Sequence, residues 1–419
     1  MRSRVRPSTI KSFYIHISDK FAKTTIRLKQ LLIICIFSIV CSRSLGQNPI
    51  SSASDSLSKP DAKKDTLSKP AQKNDSSGFD KFNSKAEHLF KILPVPIYSY
   101  SPEAGNIFGL AKFNVFSLSK KDTVSKPSKL SGVFTASTLG RINASIATQL
   151  VFDQDKYIVI SYVNYKKEPE YIWDIGNTIT DDPAADEINR FVFAGTALRQ
   201  VKKNFYVGIP FDVSDYFKIS ADSNSVLITD SATGLAGGTS IGLGVAAAYD
   251  TRDNRYNPHH GSYILGTAAF YPGSWGPYEF SKFGIDARKY LPWKKNVVVA
   301  GQVTTSYANG NVPFYELPEM GGDSQMRGYY QGGLRDNVLV DAQVELRIHI
   351  WNIFGVVGWF GVGQVQNSYN QVALDQFHLS YGPGLRVRVD SKHDTNLRFD
   401  FGFGPGGIQG FYVNFGEAF

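Results

Sequence analysis

One arginine stands out by its setting. Arg327 lies in the polar, glycine-rich run Gly321-Gly322-Asp323-Ser324-Gln325-Met326-Arg327-Gly328-Tyr329-Tyr330. A guanidinium held there is suited to one kind of chemistry, planar bidentate pairing with carboxylates. Carboxylates stand in the next segment, Asn337 to Ile350. Val338, Val340, Ala342, Val344, Leu346, Ile348 and Ile350 share one side of it, and Asp341, Gln343, Glu345, Arg347 and His349 share the other. A period of two sustained this long is a strand with one greasy and one charged face. We read the greasy face as meeting lipid and the charged face as lining a lumen. The loop then folds inside and sets Arg327 against that wall. The competing reading is a solvated loop arginine.

Catalytic constellations are sparse. His259 and His260 lie in a turn beside Asp253 and could serve as ligands or as a base, but the favoured reading is a pair of solvated turn histidines. Gly273-Ser274-Trp275-Gly276 does not fit a nucleophile elbow. There is no phosphate-binding loop, no H-E-x-x-H and no cysteine cluster. The expectation is a protein that is not an enzyme and holds no metal and no cofactor.

The net charge of +8 suggests nucleic acid, and that reading fails on its distribution. Residues 1–46 carry nine Lys/Arg and one acid, so the rest of the chain has 45 − 9 = 36 basic and 37 − 1 = 36 acidic residues. The basicity belongs to a leader with the parts of a secretory signal. Basic residues reach Lys29, Leu31 to Val40 form an apolar core, and Ser44-Leu45-Gly46 offers small residues for cleavage. A core of ten residues is too short to span a bilayer as a helix, which needs about twenty. Both cysteines, Cys35 and Cys41, fall in this leader, so the mature chain has no thiol chemistry. No later stretch approaches a membrane helix, but alternating strands escape hydropathy, and a membrane β-barrel stays open.

The elements that must position Arg327 follow in order. Residues 47–78 are rich in Ser, Lys, Asp and Pro, with Asp55-Ser56-Leu57-Ser58-Lys59-Pro60 recurring as Asp65-Thr66-Leu67-Ser68-Lys69-Pro70. They read as a disordered linker. The same motif returns at Asp122-Thr123-Val124-Ser125-Lys126-Pro127, inside a loop. Residues 79–92 read as a short amphipathic helix or an unstructured approach to the first strand, since Phe79, Phe82, Ala86, Leu89 and Phe90 lie near helical spacing. Sixteen candidate strands follow, at 95–101, 106–116, 130–139, 142–152, 156–166, 190–201, 204–212, 240–250, 261–271, 277–290, 296–307, 337–351, 355–365, 376–389, 395–403 and 410–419. Connections alternate mostly between short turns and long loops, with 117–129 as the exception. The fold class expected is all-β: a sixteen-stranded antiparallel transmembrane β-barrel over 93–419 with a loop inserted in its lumen. On the last strand, Phe411, Val413, Phe415 and Phe419 share one face, and Tyr412, Asn414, Gly416 and Ala418 the other. An exposed apolar strand at the edge of a sheet invites aggregation, and closure against the first strand removes that edge.

Four stretches together resemble a family. Met326-Arg327-Gly328-Tyr329 resembles the (V/I)-R-G-(F/Y) loop signature of the BamA/TamA-type outer-membrane surface-antigen barrels, a superfamily that includes two-partner secretion transporters. Asp250, Asp253, Asn254, Pro258 and Gly261 resemble its periplasmic turn. Val344-Glu345-Leu346-Arg347 resembles the strand after the signature loop, and residues 411–419 resemble a terminal strand ending in an aromatic. The resemblance covers roughly Leu93 to Phe419. It implies that Arg327 meets acids of the barrel wall, with Glu345 as one. The family's second acid falls on Gly361 here, which leaves Asp341 or Asp400 to substitute. It also implies that Phe411, Val413, Phe415 and Phe419 form an assembly signal. The function implied is assistance in inserting or moving protein or lipid at the Gram-negative outer membrane. Its partners would be outer-membrane lipid, the outer-membrane assembly machinery and a separate periplasmic protein, since residues 47–92 are too short for one periplasmic POTRA module. The alternative is a passive pore or a structural barrel in a surface complex.

Overall fold

A computed structural model describes residues 93–101, 105–119, 121–180 and 183–419. The signal peptide, linker and short helix expected over 1–92 lie outside the described residues.

Among the described residues nineteen strands follow in chain order. The first ten are β1 (Val95–Ser101), β2 (Gly105–Phe116), β3 (Ser128–Ser137), β4 (Ile142–Phe152), β5 (Tyr157–Tyr171), β6 (Asp174–Ile175), β7 (Ala185–Lys202), β8 (Phe205–Ser220), β9 (Gly238–Asp250) and β10 (Gly261–Tyr271). The rest are β11 (Phe280–Lys294), β12 (Val297–Gly310), β13 (Glu319–Met320), β14 (Leu334–Arg335), β15 (Val338–Trp351), β16 (Phe354–Gln366), β17 (His378–Asp390), β18 (Thr395–Phe403) and β19 (Gln409–Phe415). Sixteen of them form one antiparallel sheet in sequence order, from which β6, β13 and β14 are left out. Those three make a separate small sheet among the loops, with β14 between the other two.

The sheet is a meander, so each strand needs only a hairpin to reach its neighbour. The turns 153–156, 203–204, 251–260, 295–296, 352–353 and 391–394 fall at one end, together with the longer connection 117–127, while the short connections 138–141 and 404–408 lie at the opposite end. The long connections 172–184, 221–237 and 311–337 also fall at that opposite end. Among the described residues β1 and β19 form no ladder. The two ends of the sheet meet through side chains: Phe113 on β2 stacks on Phe415 of β19 with ring centroids 3.9 Å apart, and Lys129 Nζ on β3 donates to the Phe415 carbonyl at 3.0 Å.

The burial pattern is inverted relative to a soluble protein. On β15, Asp341, Gln343, Glu345 and Arg347 are buried while Val344 is 45% exposed. Across the sheet the exposed side chains are Phe134, Ile146, Val245, Ile285, Val303, Phe401 and Phe411, and Gln302, Thr304, Arg398 and Asp400 are buried. An apolar outer wall around a polar interior is the arrangement that hydrocarbon demands.

Three corrections to the expected strands have physical causes. The segment expected over 204–212 continues to Ser220, and its partner begins at Ala185 rather than 190. Asp212 and Ser214 look like a strand's end, but they face the wet interior while Phe211 and Val213 keep the alternation, and Phe191↔Asp215 and Glu187↔Ser220 extend the ladder. The tenth barrel strand runs over Phe280–Lys294, not 277–290. Its register carries Pro292 opposite Val298 and shifts before Lys294. The final strand stops at Phe415 rather than 419.

Candidate functional site: the lumen loop and its two anchors

The connection 311–337 between β12 and β15 turns back into the barrel. Its tip is pinned to the wall of β15–β19, and the cause is charge. Arg327 is fully buried. Its Nη1 meets Asp400 Oδ2 at 2.8 Å and its Nη2 meets Glu345 Oε1 at 2.5 Å, with Gln343 Oε1 at 3.1 Å from the same nitrogen. The guanidinium lies over the ring of Trp359, 3.8 Å from its centroid. Backbone follows side chain. Ser380 Oγ donates to the Arg327 carbonyl at 2.6 Å, and Gly328 N donates to Tyr412 Oη at 2.9 Å. The approach is close enough to require glycine on both partners. Gly328 has φ 112°, and a Cβ on Gly402 of β18 would stand 2.4 Å from the Arg327 carbonyl carbon.

The two acids are shared. Glu345 Oε2 also takes Arg347 Nε at 2.9 Å, and Asp400 takes Arg386 Nη1 at 2.5 Å and Arg398 Nη1 at 3.1 Å. Arg398 Nη2 reaches back to Asp323 of the loop at 3.2 Å, and Asn414 Nδ2 donates to the same carboxylate. Arg386 Nε meets Glu417 Oε2 at 2.7 Å. Arg327, Arg347, Arg386 and Arg398 thus interleave with Glu345, Asp400, Glu417 and Asp323. A buried charge cluster persists only when each member has its counter-charge and hydrogen bonds.

Of the two candidates for the second acid, the structure uses Asp400. Asp341 does not reach Arg327; it takes Thr304 Oγ1 at 2.5 Å instead. The sequence already places Gln343 and Arg347 on the lumen face, whereas Arg386, Arg398 and Trp359 lie beyond the sequence reading. Arg386 and Arg398 also sit on the inward face of their strands, so alternation was the signal that could have found them. For Trp359, only the loop's path selects it.

A second anchor grips the same loop on another wall. Glu316 is buried and accepts Ser214 Oγ of β8 and Lys282 Nζ of β11. Lys282 also lies 3.9 Å from Asp212, which takes Tyr271 Oη at 2.8 Å. A cavity of about 670 Å³ borders this anchor, lined by Arg190, Ser214, Lys282, Glu316, Asp323 and Asn414 among others. Beyond it, Arg335 is fully buried and donates through Nε and Nη2 to the Gly332 carbonyl at 2.9 and 2.7 Å, with Glu319 at 3.5 Å and Glu170 of β5 at 3.6 Å. Ile188, Leu227, Tyr271, Phe280, Phe314 and Tyr315 close an apolar cluster over the long-loop end.

The turn 251–260 crosses the short-turn end. Asp250 holds Arg252 Nε at 2.9 Å and Arg255 Nε at 3.2 Å. Asp253 accepts the His259 and His260 amides and lies 3.2 Å from His259 Nδ1. Burial opposes the Asp253 charge, but the His259 ring and these amides outweigh it and hold the carboxyl well below its usual range. The Asp253 hydrogen bond raises His259 above the usual imidazole value against its partial burial, with Asp394 assisting. Asn254 Nδ2 donates to the His393 carbonyl at 2.9 Å, joining this turn to the turn after β17. Pro258 and Gly261 make no polar side-chain contact; Gly261 has φ 109° and faces the Thr251 carbonyl too closely for a Cβ.

The loop copy of the repeated hexapeptide docks on the turn 153–156 and on this turn. Asp122 Oδ2 accepts Gln154 N at 3.0 Å, Asp155 N donates to Ser125 Oγ at 3.0 Å, and Lys126 N donates to Asp155 Oδ1 at 2.8 Å. Lys126 Nζ donates to the Arg252 carbonyl, and Tyr256 Oη donates to the Pro127 carbonyl at 2.7 Å. The residues common to all three copies, Asp, Ser, Lys and Pro, make these contacts. The two positions that vary, Thr123 and Val124, are exposed.

The last residues depart from expectation. Phe411 and Val413 face outward, but residues 416–419 leave the sheet and turn inward. Phe419 is 4% exposed, packs with Tyr290, Ala300 and Ala418, and its carbonyl accepts Arg347 Nη2 at 3.0 Å. The cause is Glu417. In a continued strand it would share the lipid face with Phe415 and Phe419, and a carboxylate in hydrocarbon is costly. Gly416, at φ 82°, turns the chain so that Glu417 meets Arg386 and the side chain of Asn396.

An apolar-walled sheet of sixteen antiparallel strands with a loop pinned inside defines a membrane β-barrel. The Omp85 superfamily domain matches residues 131–419, and the chain belongs to that superfamily. It is therefore an outer-membrane barrel, not an enzyme. A comparison with curated protein sequences gives no match. Two similar solved structures are BamA from Haemophilus ducreyi lacking POTRA domains 1–3, and CdiB from Acinetobacter baumannii. The first is 14% identical with TM-score 0.45, covering 81% of this chain and 77% of that one. The second is 13% identical with TM-score 0.46, covering 77% of this chain and 58% of that one.

Proposed function

We propose that this barrel assists the insertion or translocation of protein or lipid at the outer membrane of a Gram-negative bacterium, together with a separate periplasmic protein that delivers the cargo. The observation that carries the reading is the lumen loop, tied through Arg327 to Glu345 and Asp400 inside a barrel of the Omp85 superfamily. A loop clamped across the interior suits a barrel that works on cargo better than one that passes solute freely. The reading includes export by a cleaved signal over 1–46, a disordered periplasmic linker over 47–78 and a short helix over 79–92. In it, the short-turn end faces the periplasm, and Phe411, Val413 and Phe415 belong to an assembly signal.

Depletion of the protein followed by quantitative proteomics and lipid analysis of the outer membrane tests this. Loss of a defined set of outer-membrane proteins or lipids is the expected outcome. An unchanged membrane, with steady ohmic conductance of the pure protein in planar bilayers, would instead indicate a passive pore. Amino-terminal sequencing of the mature protein checks the cleavage after residue 46.

A further inference from the structure

A second cavity, of about 500 Å³, opens beneath the charge cluster at the short-turn end. Its lining includes Lys295, Arg347, His349, Arg386 and Glu417. Arg347 and Arg386 are 7% and 3% exposed. Each uses two of its three nitrogens. Arg347 spends Nε on Glu345 and Nη2 on the Phe419 carbonyl, and Arg386 spends Nε on Glu417 and Nη1 on Asp400. The third nitrogen of each, Arg347 Nη1 and Arg386 Nη2, has no acceptor. Buried guanidinium N–H groups without acceptors are costly and rare. The two side chains are close neighbours, since Glu417 Oε2 lies 2.7 Å from Arg386 Nε and 3.9 Å from Arg347 Nε. The acids of the cluster are fully engaged, and Asp394, which also lines the cavity, is held by Arg388 and His259, whereas Lys295 at the rim is exposed and adds positive charge.

We propose that this cavity is a binding site for a phosphate group. A phosphate has several acceptor oxygens and a compact charge, so one group can accept from both arginines while facing Lys295 and His349. The group comes from a free phosphate or from a lipid headgroup, and the chemistry of recognition is the same for both.

The test uses the full chain in detergent micelles. Inorganic phosphate is titrated at constant ionic strength against chloride, and binding is read by phosphorus NMR line broadening. Saturable broadening is expected. Arg347→Lys and Arg386→Lys keep the charge but lose the free guanidinium nitrogen, and each should weaken binding about tenfold or more. Should either fail to fold, Lys295→Gln and His349→Gln keep the question open to decision, because neither residue belongs to the charge cluster; weakened binding in both supports the site. Lys203→Gln, in the turn between β7 and β8, is the control and should leave binding unchanged. Competition by a soluble short-chain phosphatidic acid at lower concentration than inorganic phosphate assigns the site to a lipid headgroup, and weaker competition assigns it to free phosphate. Broadening that does not saturate, or that persists equally in the Lys295 and His349 variants, overturns the proposal.

Discussion

The lumen loop is held at two places, and the two anchors differ in kind. At its tip Arg327 is fully buried, and so are its acids Glu345 and Asp400, with side-chain exposures of 0%. At its root Glu316 meets Lys282, whose side chain is 30% exposed and borders the large cavity. Water can replace one partner at the root and cannot at the tip. The same formal interaction, one loop charge against opposite wall charge, should therefore weigh very differently in the two places.

Arg327→Ala should give the largest effect. It strands Glu345 and Asp400 among three remaining arginines and removes the contact with Trp359. A loss of about 3–5 kcal/mol is expected, read by denaturant unfolding in micelles. Arg327→Lys should recover little, because an ammonium cannot span two carboxylates in a plane. A loss below about 1 kcal/mol for Arg327→Ala would erase the contrast between the anchors.

The double change Arg327→Ala with Glu345→Ala sharpens the comparison. It should be sub-additive, with a coupling of about 1–3 kcal/mol. Asp400 holds the same guanidinium, so part of the Arg327 effect lies outside this pair. Simple additivity would mean that Asp400 and Trp359 carry the anchor and Glu345 serves Arg347 alone.

Glu316→Gln probes the wetter anchor. The amide keeps a hydrogen bond to Ser214, and Lys282 can turn to Asp212 or to water. We expect a loss of about 1 kcal/mol, and noisier single-channel recordings as the loop root loosens. A cost equal to that of Arg327→Ala would show that the cavity beside Lys282 is dry.

The smallest effect belongs to the turn 251–260. His259 is raised, so its stabilising charge is fully present below the ordinary imidazole value near 6.5 and is lost as pH rises through the raised value. Asp253 is lowered, so its contribution is present above about 3.9 and is lost only as pH falls toward the depressed value. The stability gap between the native protein and His259→Gln should be widest near pH 5 to 6 and close as pH rises past the His259 value. His259 is half exposed, so the gap should stay at a few tenths of a kcal/mol. A gap that widens with rising pH would mean that the neutral ring is the stabilising form.

Legibility in the sequence divides along lines of physics. Alternation of apolar and polar residues fixed the strand count and direction, because a wall between lipid and water imposes a period of two on every strand. It also set Arg327 against the inward face of β15, which offers both Asp341 and Glu345; the preference for Glu345 came from the family resemblance, not from the alternation. The reading of strand ends failed at Asp212, where the alternation in fact continues, and at Glu417, where it stops. The first is a polar residue that continues a strand, and the second is one that ends a strand; the difference lies in which face each would occupy. What lies across the barrel left no mark in local sequence. Asp400 is 73 residues from Arg327 and Glu316 is 102 from Ser214. The choice of Asp400 over Asp341, the stacking on Trp359, the second anchor and the docking of Lys126 under the turn at Arg252 are set by where a curled sheet brings its inward faces together. Periodicity acts between neighbours along one strand, so the sequence alone determined which side of the wall each residue faces. Only the tertiary structure decided which inward residues meet, because that depends on the curvature of the sheet and on the path of a loop through its interior.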